Sequence, residues 1–391
     1  MLFKKSLISL AIGGFGIGLT EFIMMGILRY VAKDFGITIP EAGHFISSYA
    51  LGVVVGAPIL VLIAGNYPPK KILLTLMLVF TVFNSMSIFA SNYTFLVITR
   101  FLSGLPHGAY FGVGAVVASR LVDSSKRASA ISMVLAGLTV ANIIGIPLTI
   151  KLVNLLTWRY AFLVVGIVGV LAMLFITMWL PDLKQERRNN AKNELKVFIK
   201  AEPWFVLAIT AVGTGGFFAW FSYIEPMLVK ITGFSEGNTI SAILALAGLG
   251  MFVGNFVGGY LADKVSPGRA IIILLSVMVL CLIGVSLLSP YKIPTLIMTF
   301  ITAAFAFSTG SPIQMLMINA SKGGEMLASA SNQAGFNMGN ALGAYLGGLP
   351  IAYGFGLASP EWSGAGMAAV GVLITLMMLI RRKKKTKVGT I

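Results

Sequence analysis

Apolar stretches of about 20 residues recur along the whole chain, and each ends at charged or turn-forming residues. A stretch of this length crosses the hydrocarbon core of a bilayer, where only helices and closed barrels satisfy their own backbone hydrogen bonds. The pattern predicts twelve transmembrane helices, called the first to the twelfth span, at 6–28, 44–65, 72–90, 94–119, 128–150, 160–180, 204–229, 237–261, 270–289, 293–318, 326–350 and 362–380. The first stretch is too long for a cleaved signal peptide and lacks a small-x-small cleavage site, so we expect it to remain as a span.

An internal repeat divides these spans into two sets of six. At a constant offset of 198 residues, Leu51, Gly52, Val55, Gly56 and Pro69 align with Leu249, Gly250, Val253, Gly254 and Pro267, and Gly137, Asn142 and Gly145 align with Gly335, Asn340 and Gly343. A hydrophilic stretch separates the two sets. The sequence therefore predicts an all-α integral membrane protein with pseudo-symmetric six-helix bundles at 1–180 and 204–380, a cytoplasmic linker at 181–203 and a basic tail at 381–391, with a substrate path between the bundles.

The positions of the basic residues along the chain indicate the orientation of the spans in the membrane. Among 29 Lys and Arg residues, the expected extracytoplasmic turns hold only Arg29, Lys33, Lys151, Arg159, Lys230 and Lys292, and Arg100 alone lies within a span. Because cytoplasmic loops are enriched in Lys and Arg, both termini are predicted to be cytoplasmic. The basic residues do not gather on one exposed face, so we expect no nucleic acid partner. We expect the basic residues next to the membrane to bind anionic lipid headgroups.

Several classes of site are not expected from the composition. The chain is 57% hydrophobic, with one cysteine and two histidines far apart. One cysteine cannot form an internal disulfide, and the histidines give no spacing for a metal site. No nucleotide-binding motif occurs. We therefore predict no enzyme, no metal and no cofactor, and a transport process that would draw on an ion gradient.

Two charged residues lie deep inside the predicted spans, away from the span ends. Arg100 is in the stretch RFLSGLPHGAYFGVGA of the fourth span, and Glu21 is in the first span at a similar distance from the outer surface. A carboxylate and a guanidinium each cost several kcal/mol to bury alone, so we predict that they form an ion pair. This pair either couples protons or is structural, and a third possibility is that Arg100 anchors a helix end. His107, further along the same helix, is either a proton relay or a packing residue.

A second group of polar and aromatic residues lies on spans expected to border the substrate path. Its members are Asn142, Trp220, Tyr223, Glu225, Gln314, Gln333, Asn337 and Asn340. The amides suit either substrate contacts or hydrogen bonds between helices. The aromatic residues suit either a cavity for a ring-bearing substrate or a membrane interface. Glu225, beside Pro226, is either an outer gate or an interfacial carboxylate.

Several stretches together resemble a known family. The stretches that carry the resemblance are GHFISSYALGVVVGAPI, the fourth-span stretch, LTVANIIGIPL, WRYAFLV and FAWFSYIEPM. The chain resembles the twelve-helix drug:proton antiporter branch of the major facilitator superfamily, and within that branch it is similar to the AraJ-like exporters of sugars and arabinose polymers. The resemblance implies proton coupling at Arg100. It also implies gating by the signature GYLADK, where we expect Asp263 to lie near a helix end and pair with Lys264 or Arg269. Gly65 and Asn66 replace Asp and Lys in the first-half counterpart, so asymmetric gating is expected. Gly145 and Pro147 match the fifth-span antiporter signature loosely.

The resemblance implies a secondary transporter of the bacterial inner membrane. We expect a monomer that moves a small organic solute, sugar-like or drug-like, by alternating access, as proton-coupled efflux. A proton-coupled importer is the nearer alternative, and a non-transporting membrane receptor built on the same fold is the more distant one.

Overall fold

The structure is a computed structural model that describes residues 2–37, 39–64, 67–183, 191–235 and 238–388. Within those ranges the chain is helical throughout, with short turns between helices. Nine spans are single α-helices, namely Leu2–Phe35, Ile39–Ala64, Pro69–Met86, Tyr93–Arg120, Arg159–Trp179, Asn238–Val265, Pro267–Leu288, Glu325–Ala352 and Pro360–Val388. The predicted all-α membrane fold is confirmed.

Three spans predicted as single helices are interrupted in the structure. The fifth span comprises Arg127–Val140, the π-helical Ala141–Gly145 and Ile146–Leu155. The seventh comprises Ala201–Ala208, the π-helical Ile209–Thr214, Gly215–Phe221 and Ile224–Lys230, and the tenth comprises Lys292–Ser308 and Gly310–Ala320. Proline explains a break in each, because it clashes with the carbonyl of the residue four positions earlier. Pro147 follows the π segment of the fifth span, Pro226 follows the turn in the seventh, and Pro312 follows the break in the tenth.

Eleven helices among the described residues are long and apolar enough to cross a membrane. The eleventh predicted span is absent from that set, although it forms the continuous 28-residue helix Glu325–Ala352. Its sequence is rich in Ser, Asn, Gln and Gly, which lowers its mean hydropathy. Such a helix is stable in a bilayer when its polar face packs against protein or lines a polar space.

Contacts divide the chain into two compact units. The first comprises Met1–Ser124, Met133–Val197 and Gly323–Ala334, and the second comprises Ser125–Ser132, Phe198–Lys322 and Gly335–Ile391. Each unit therefore includes the first residues of a span whose remainder belongs to the other unit. The predicted boundaries at the linker and tail stay predictions, and residues 184–190 and 389–391 lie outside the described residues.

The glycines matched by the sequence repeat pack in the same way in both units. A Cβ atom on Gly52 would overlap with the carbonyl oxygen of Phe101 in the fourth span. A Cβ atom on Gly250, its partner in the repeat, would overlap with the carbonyl oxygen of Phe300 in the tenth span. Small residues at these positions let two helix backbones approach closely. In the first unit this close approach brings the second span against the segment of the fourth span that holds Arg100.

Candidate functional site

Arg100 is the most unusual residue of the first unit. Its side chain is completely buried in the fourth span, Tyr93–Arg120. Nη1 donates a hydrogen bond of 2.9 Å to the hydroxyl of Thr20, and Nε donates one of 3.3 Å to the carbonyl oxygen of Phe45. The guanidinium carbon lies 4.3 Å from the centre of the Tyr49 ring. Arg100 is therefore held by three different residues of the first and second spans.

One nitrogen of this guanidinium is unsatisfied, since Nη2 is buried and has no hydrogen-bond partner among the described residues. A buried donor without a partner costs about 1–3 kcal/mol, and more when it is charged. Stacking on an aromatic ring offsets part of that cost, because a desolvated cation–π contact contributes about 2 kcal/mol. The site therefore leaves donor capacity for an additional acceptor.

A polar network extends on both sides of Arg100. Thr20 donates a hydrogen bond of 2.5 Å to Oδ1 of Asn84 in the third span, and Nδ2 of Asn84 donates to the carbonyl oxygen of Phe80. On the other side, the hydroxyl of Tyr49 is 3.0 Å from Nδ1 of His107. The network thus joins the first four spans inside an otherwise apolar unit.

Glu21 does not form the predicted direct ion pair with Arg100. Both residues are described, and their charged atoms do not approach within 4.0 Å, although each remains within electrostatic range of the other. The prediction of contact is wrong because Glu21 and Thr20 are neighbours on one helix, and Thr20 takes the position beside the guanidinium. Glu21 is only partly buried, so it is not enclosed as Arg100 is. The charges are close without being bonded.

The residues that hold Arg100 were not predicted from the sequence. Thr20, Tyr49 and Asn84 each lie in apolar spans, and a polar side chain in such a span is a signal of a hydrogen-bonded site. The carbonyl of Phe45 gives no signal in a sequence. His107 was predicted as a relay or a packing residue. Its position is compatible with both, because it contacts Tyr49 through Nδ1 and packs edge-on against Phe111.

The aromatic residues of the seventh span pack into the second unit. Phe217 and Trp220 are buried, and the ring of Phe217 contacts that of Phe307 in the tenth span. The indole Nε1 of Trp220 is buried and has no hydrogen-bond partner among the described residues. Tyr223 donates a hydrogen bond of 2.8 Å to the carbonyl oxygen of Ala344. The run therefore forms a packed cluster, and an assignment to a substrate cavity stays a prediction.

The amides predicted to border the substrate path occupy different surroundings. Asn142, which lies within the π segment, donates to the carbonyl oxygen of Leu138 in the preceding helix of the same span. Gln314 and Asn337 are buried in the second unit, where Asn340 is partly buried. Gln333 belongs to the first unit, where its Cβ lies near Gly108 of the fourth span. Glu225 lies in the helix Ile224–Lys230, and its side chain is outside the described residues.

Asp263 caps a helix in the second unit. Oδ1 accepts a hydrogen bond of 3.1 Å from the backbone N–H of Ala128, and Oδ2 accepts bonds from the N–H and hydroxyl of Ser129 at 3.0 and 2.6 Å. These residues begin the helix Arg127–Val140 of the fifth span. A helix leaves its first N–H groups unsatisfied and carries a partial positive charge there, which favours a carboxylate.

The expected pairing of Asp263 with Lys264 or Arg269 is not formed in this structure. Lys264 lies over the ring of Tyr260 at 5.6 Å, and Arg269 is exposed. The expectation was wrong because the helix N-terminus satisfies both carboxylate oxygens. Gly259, which begins the signature, packs against the same helix, since a Cβ there would overlap with the hydroxyl of Ser132. The glycine and the aspartate of the signature therefore both serve this one contact.

The fifth-span signature residues lie at the π segment. Gly145 ends that segment, and a Cβ there would lie about 3 Å from Phe15 and Leu19 of the first span. Pro147 opens the following helix, Ile146–Leu155, and its side chain is exposed. In the first-half counterpart of the gating signature, Gly65 and Asn66 lie outside the described residues.

A surface ion pair joins the ends of two spans at the predicted outer edge of the first unit. The carboxylate of Asp34 accepts hydrogen bonds of 3.0 Å from the indole of Trp158 and 2.9 Å from Nη1 of Arg159. The hydrogen bond from Trp158 is the largest effect on the pKa of Asp34 and, together with the bond and charge of Arg159, holds that pKa below its usual value against the opposing effect of burial. The motif WRYAFLV therefore positions the sixth span against the end of the first.

The helical spans, with a buried arginine in the fourth and a capping aspartate in the last turn of the eighth, define a polytopic membrane protein. The Major Facilitator Superfamily pattern matches residues 10–331, and the chain belongs to this family. AraJ of Escherichia coli strain K12 is 39% identical over 99% of this chain and 98% of its own. The inner membrane transport protein YdhP of the same strain is 37% identical, with 95% of each chain covered. A chloramphenicol resistance protein of Streptomyces lividans is 26% identical over 93% of this chain and 94% of its own.

Solved structures show the same fold. The fucose:proton symporter FucP of E. coli superposes with a TM-score of 0.77 at 14% identity, covering 96% of this chain and 98% of its own. The proton:xylose symporter XylE superposes with a TM-score of 0.74 at 14% identity, covering 96% of this chain and 95% of its own. The protein is therefore a multi-pass membrane transporter of the Major Facilitator Superfamily, and its relatives are transporters rather than enzymes.

Proposed function

We propose that this protein is a proton-coupled secondary transporter of the bacterial inner membrane, which exports a small organic solute by alternating access. The observation that carries the proposal is the arrangement around Arg100. A fully buried guanidinium has an unsatisfied nitrogen, and Glu21 lies within electrostatic range without being bonded to it. A charge enclosed in a membrane span is expensive, so a site of this kind is expected to have a function.

Proton exchange follows from a change in the distance between these two groups. A carboxylate held against a guanidinium is stabilised in its ionised form, and a buried carboxyl away from a cation is stabilised in its protonated form. Glu21 would release its proton when it meets Arg100 and bind one when they separate. An opposite charge brought within about 4–6 Å changes the proton affinity of a carboxyl group by one to three powers of ten, and each power of ten is worth about 1.4 kcal/mol. A change of two or three powers of ten between the two states would exceed the roughly 1.4 kcal/mol per proton supplied by a gradient of one pH unit, so these two groups could couple transport without a further residue.

The remaining predicted residues receive roles in the same scheme. We assign His107, joined to Tyr49, as an optional relay. The predicted amides and aromatic residues of the fifth, seventh, tenth and eleventh spans are assigned as substrate contacts. Asp263 supplies the gate by holding the start of the fifth span.

The substrate class is tested first. The names of the relatives and neighbours suggest two sets of probes, chloramphenicol for drug-like compounds and fucose and xylose for sugars. A compound that binds the folded protein raises its Tm by mass action, so a thermal-shift panel on purified protein identifies the class. Counterflow of the identified compound in proteoliposomes then distinguishes a transporter from a receptor.

The direction of coupling is tested by the sign of an imposed pH gradient. In proteoliposomes with an acidic interior, outward proton flow drives the compound inward if protons and solute are exchanged. With an alkaline interior, accumulation occurs if they move together. This sign does not depend on how the protein is oriented in the vesicle. Accumulation with an acidic interior supports export, accumulation with an alkaline interior supports the importer, and counterflow that ignores both gradients contradicts proton coupling.

A further inference from the structure

Glu194 is a buried carboxylate in the linker. It lies in the short helix Ala191–Lys196 and is only 3% exposed. Oε2 accepts a hydrogen bond of 3.2 Å from the backbone N–H of Leu327, in the first turn of the helix Glu325–Ala352. Glutamate in a polar linker is normally exposed, so burial at this position requires a specific partner.

The linker also packs closely against the residue that precedes this helix. A Cβ atom on Gly324 would lie 2.6 Å from Cγ1 of Val197 and 2.8 Å from the carbonyl oxygen of Glu194. Val197 is itself buried, at 3% exposure. The contact is therefore a packed junction rather than an isolated hydrogen bond. Both partners belong to the first compact unit.

The same arrangement occurs in the second unit with a different source of the carboxylate. Leu327 follows Ser129 by 198 residues, which is the offset that aligns the two sets of spans. The N–H of Ser129 binds the carboxylate of Asp263 at 3.0 Å, and the N–H of Leu327 binds that of Glu194 at 3.2 Å. Repeat-related N–H groups at the starts of the fifth and eleventh spans therefore each bind a carboxylate.

The first half of the sequence cannot supply this carboxylate from the usual position of the signature. The residue that aligns with Asp263 at the offset of 198 is Gly65, which has no side chain. The first N–H groups of the eleventh span nevertheless need acceptors, because a buried helix terminus without partners is unfavourable. Glu194 is the residue that provides one.

We propose that Glu194 takes the place of the missing signature aspartate and acts as a positioning residue for the eleventh span. The proposal rests on the proposed function in one respect, namely that the start of this span is released and held again during alternating access. The two carboxylate contacts are then alike in chemistry and different in origin. The linker becomes part of the gate, and its release is coupled to movement of the eleventh span.

Hydrogen exchange measured by mass spectrometry on the purified full-length protein tests this proposal. Glu194→Ala removes the acceptor of the Leu327 N–H, so exchange in a peptide covering 325–330 is expected to become on the order of tenfold faster. A peptide covering 127–131 is expected to be unchanged. Asp263→Ala should give the reverse pattern. Asp182→Asn is the matched control, because this acidic residue of the same unit pairs with Lys70 while its side chain is 92% exposed.

Unchanged exchange at 325–330 in Glu194→Ala overturns the proposal, and so does an equal acceleration in the fourth span, which indicates general loosening of the unit. A Gly65→Asp substitution added to Glu194→Ala should restore slow exchange, and a lack of recovery contradicts the equivalence with Asp263. Because exchange is measured without substrate or gradient, its outcome is independent of whether the proposed transport activity is found.

Discussion

Replacing Arg100 with lysine keeps the charge and removes the planar guanidinium, so it tests whether geometry at this site matters. Arginine reaches Thr20 through Nη1 and the carbonyl of Phe45 through Nε at the same time, while stacking on Tyr49. A lysine ammonium is a single point charge on a flexible stem. It retains one of these contacts and loses another, which costs about 1.5–3 kcal/mol for a hydrogen bond to a charged group.

Two measurements check this prediction. Arg100→Lys is expected to lower the Tm of the purified protein by several degrees and to reduce transport driven by a pH gradient more than counterflow. Arg159→Lys is the matched control, because Arg159 also contacts a carbonyl oxygen and an aromatic ring while its side chain is 32% exposed. We expect Arg159→Lys to reduce the free energy of unfolding by less than about 1 kcal/mol. Equal stability and equal coupling in Arg100→Lys and the unmodified protein would refute the reasoning.

Two further predictions concern carboxylates outside the coupling site. Asp263→Asn retains one acceptor oxygen and loses the charge that faces the fifth span, so a loss of about 1–2 kcal/mol is expected. Transport in proteoliposomes should fall strongly in this variant and little in Asn66→Ala, and equal effects contradict asymmetric gating. Asp34→Asn should reduce the free energy of unfolding at pH 7 by less than about 1 kcal/mol, the range for an exposed pair, and so lower the Tm slightly. Because the pKa of Asp34 is held below the usual value for an aspartate, the stabilisation is present above that usual value and is lost as the pH falls through the folded-state pKa. A Tm difference between variant and parent that is the same at pH 7 and pH 3 contradicts this assignment.

The number and order of the spans are predictable from the sequence because apolar length is a strong signal in membrane proteins. The eleventh span shows why self-similarity adds information, since its hydropathy is low and the repeat still identifies it. The breaks at Pro147, Pro226 and Pro312 were less predictable. Proline is tolerated in membrane helices, so its position alone does not distinguish a kink from an interruption.

The candidate site was predictable in part. Arg100 and Asp263 stand out because one is a charge in an apolar span and the other belongs to a motif. Their partners do not stand out, because backbone groups such as the carbonyl of Phe45 and the N–H of Ala128 have no sequence signature. Glu194 illustrates the same limit. The polar composition of the surrounding linker suggests that this residue is exposed, and only the folded structure shows that it contacts Leu327.

Transport by the Glu21→Gln variant tests the central claim most directly. The amide keeps the shape and polarity of the carboxyl group, and it cannot bind and release a proton. In proteoliposomes loaded with the compound found by thermal shift, the variant is expected to lose accumulation driven by a pH gradient and to retain counterflow. Gradient-driven accumulation that survives Glu21→Gln would contradict proton coupling at the Glu21 and Arg100 site and would move it to another group, such as His107 or Glu225.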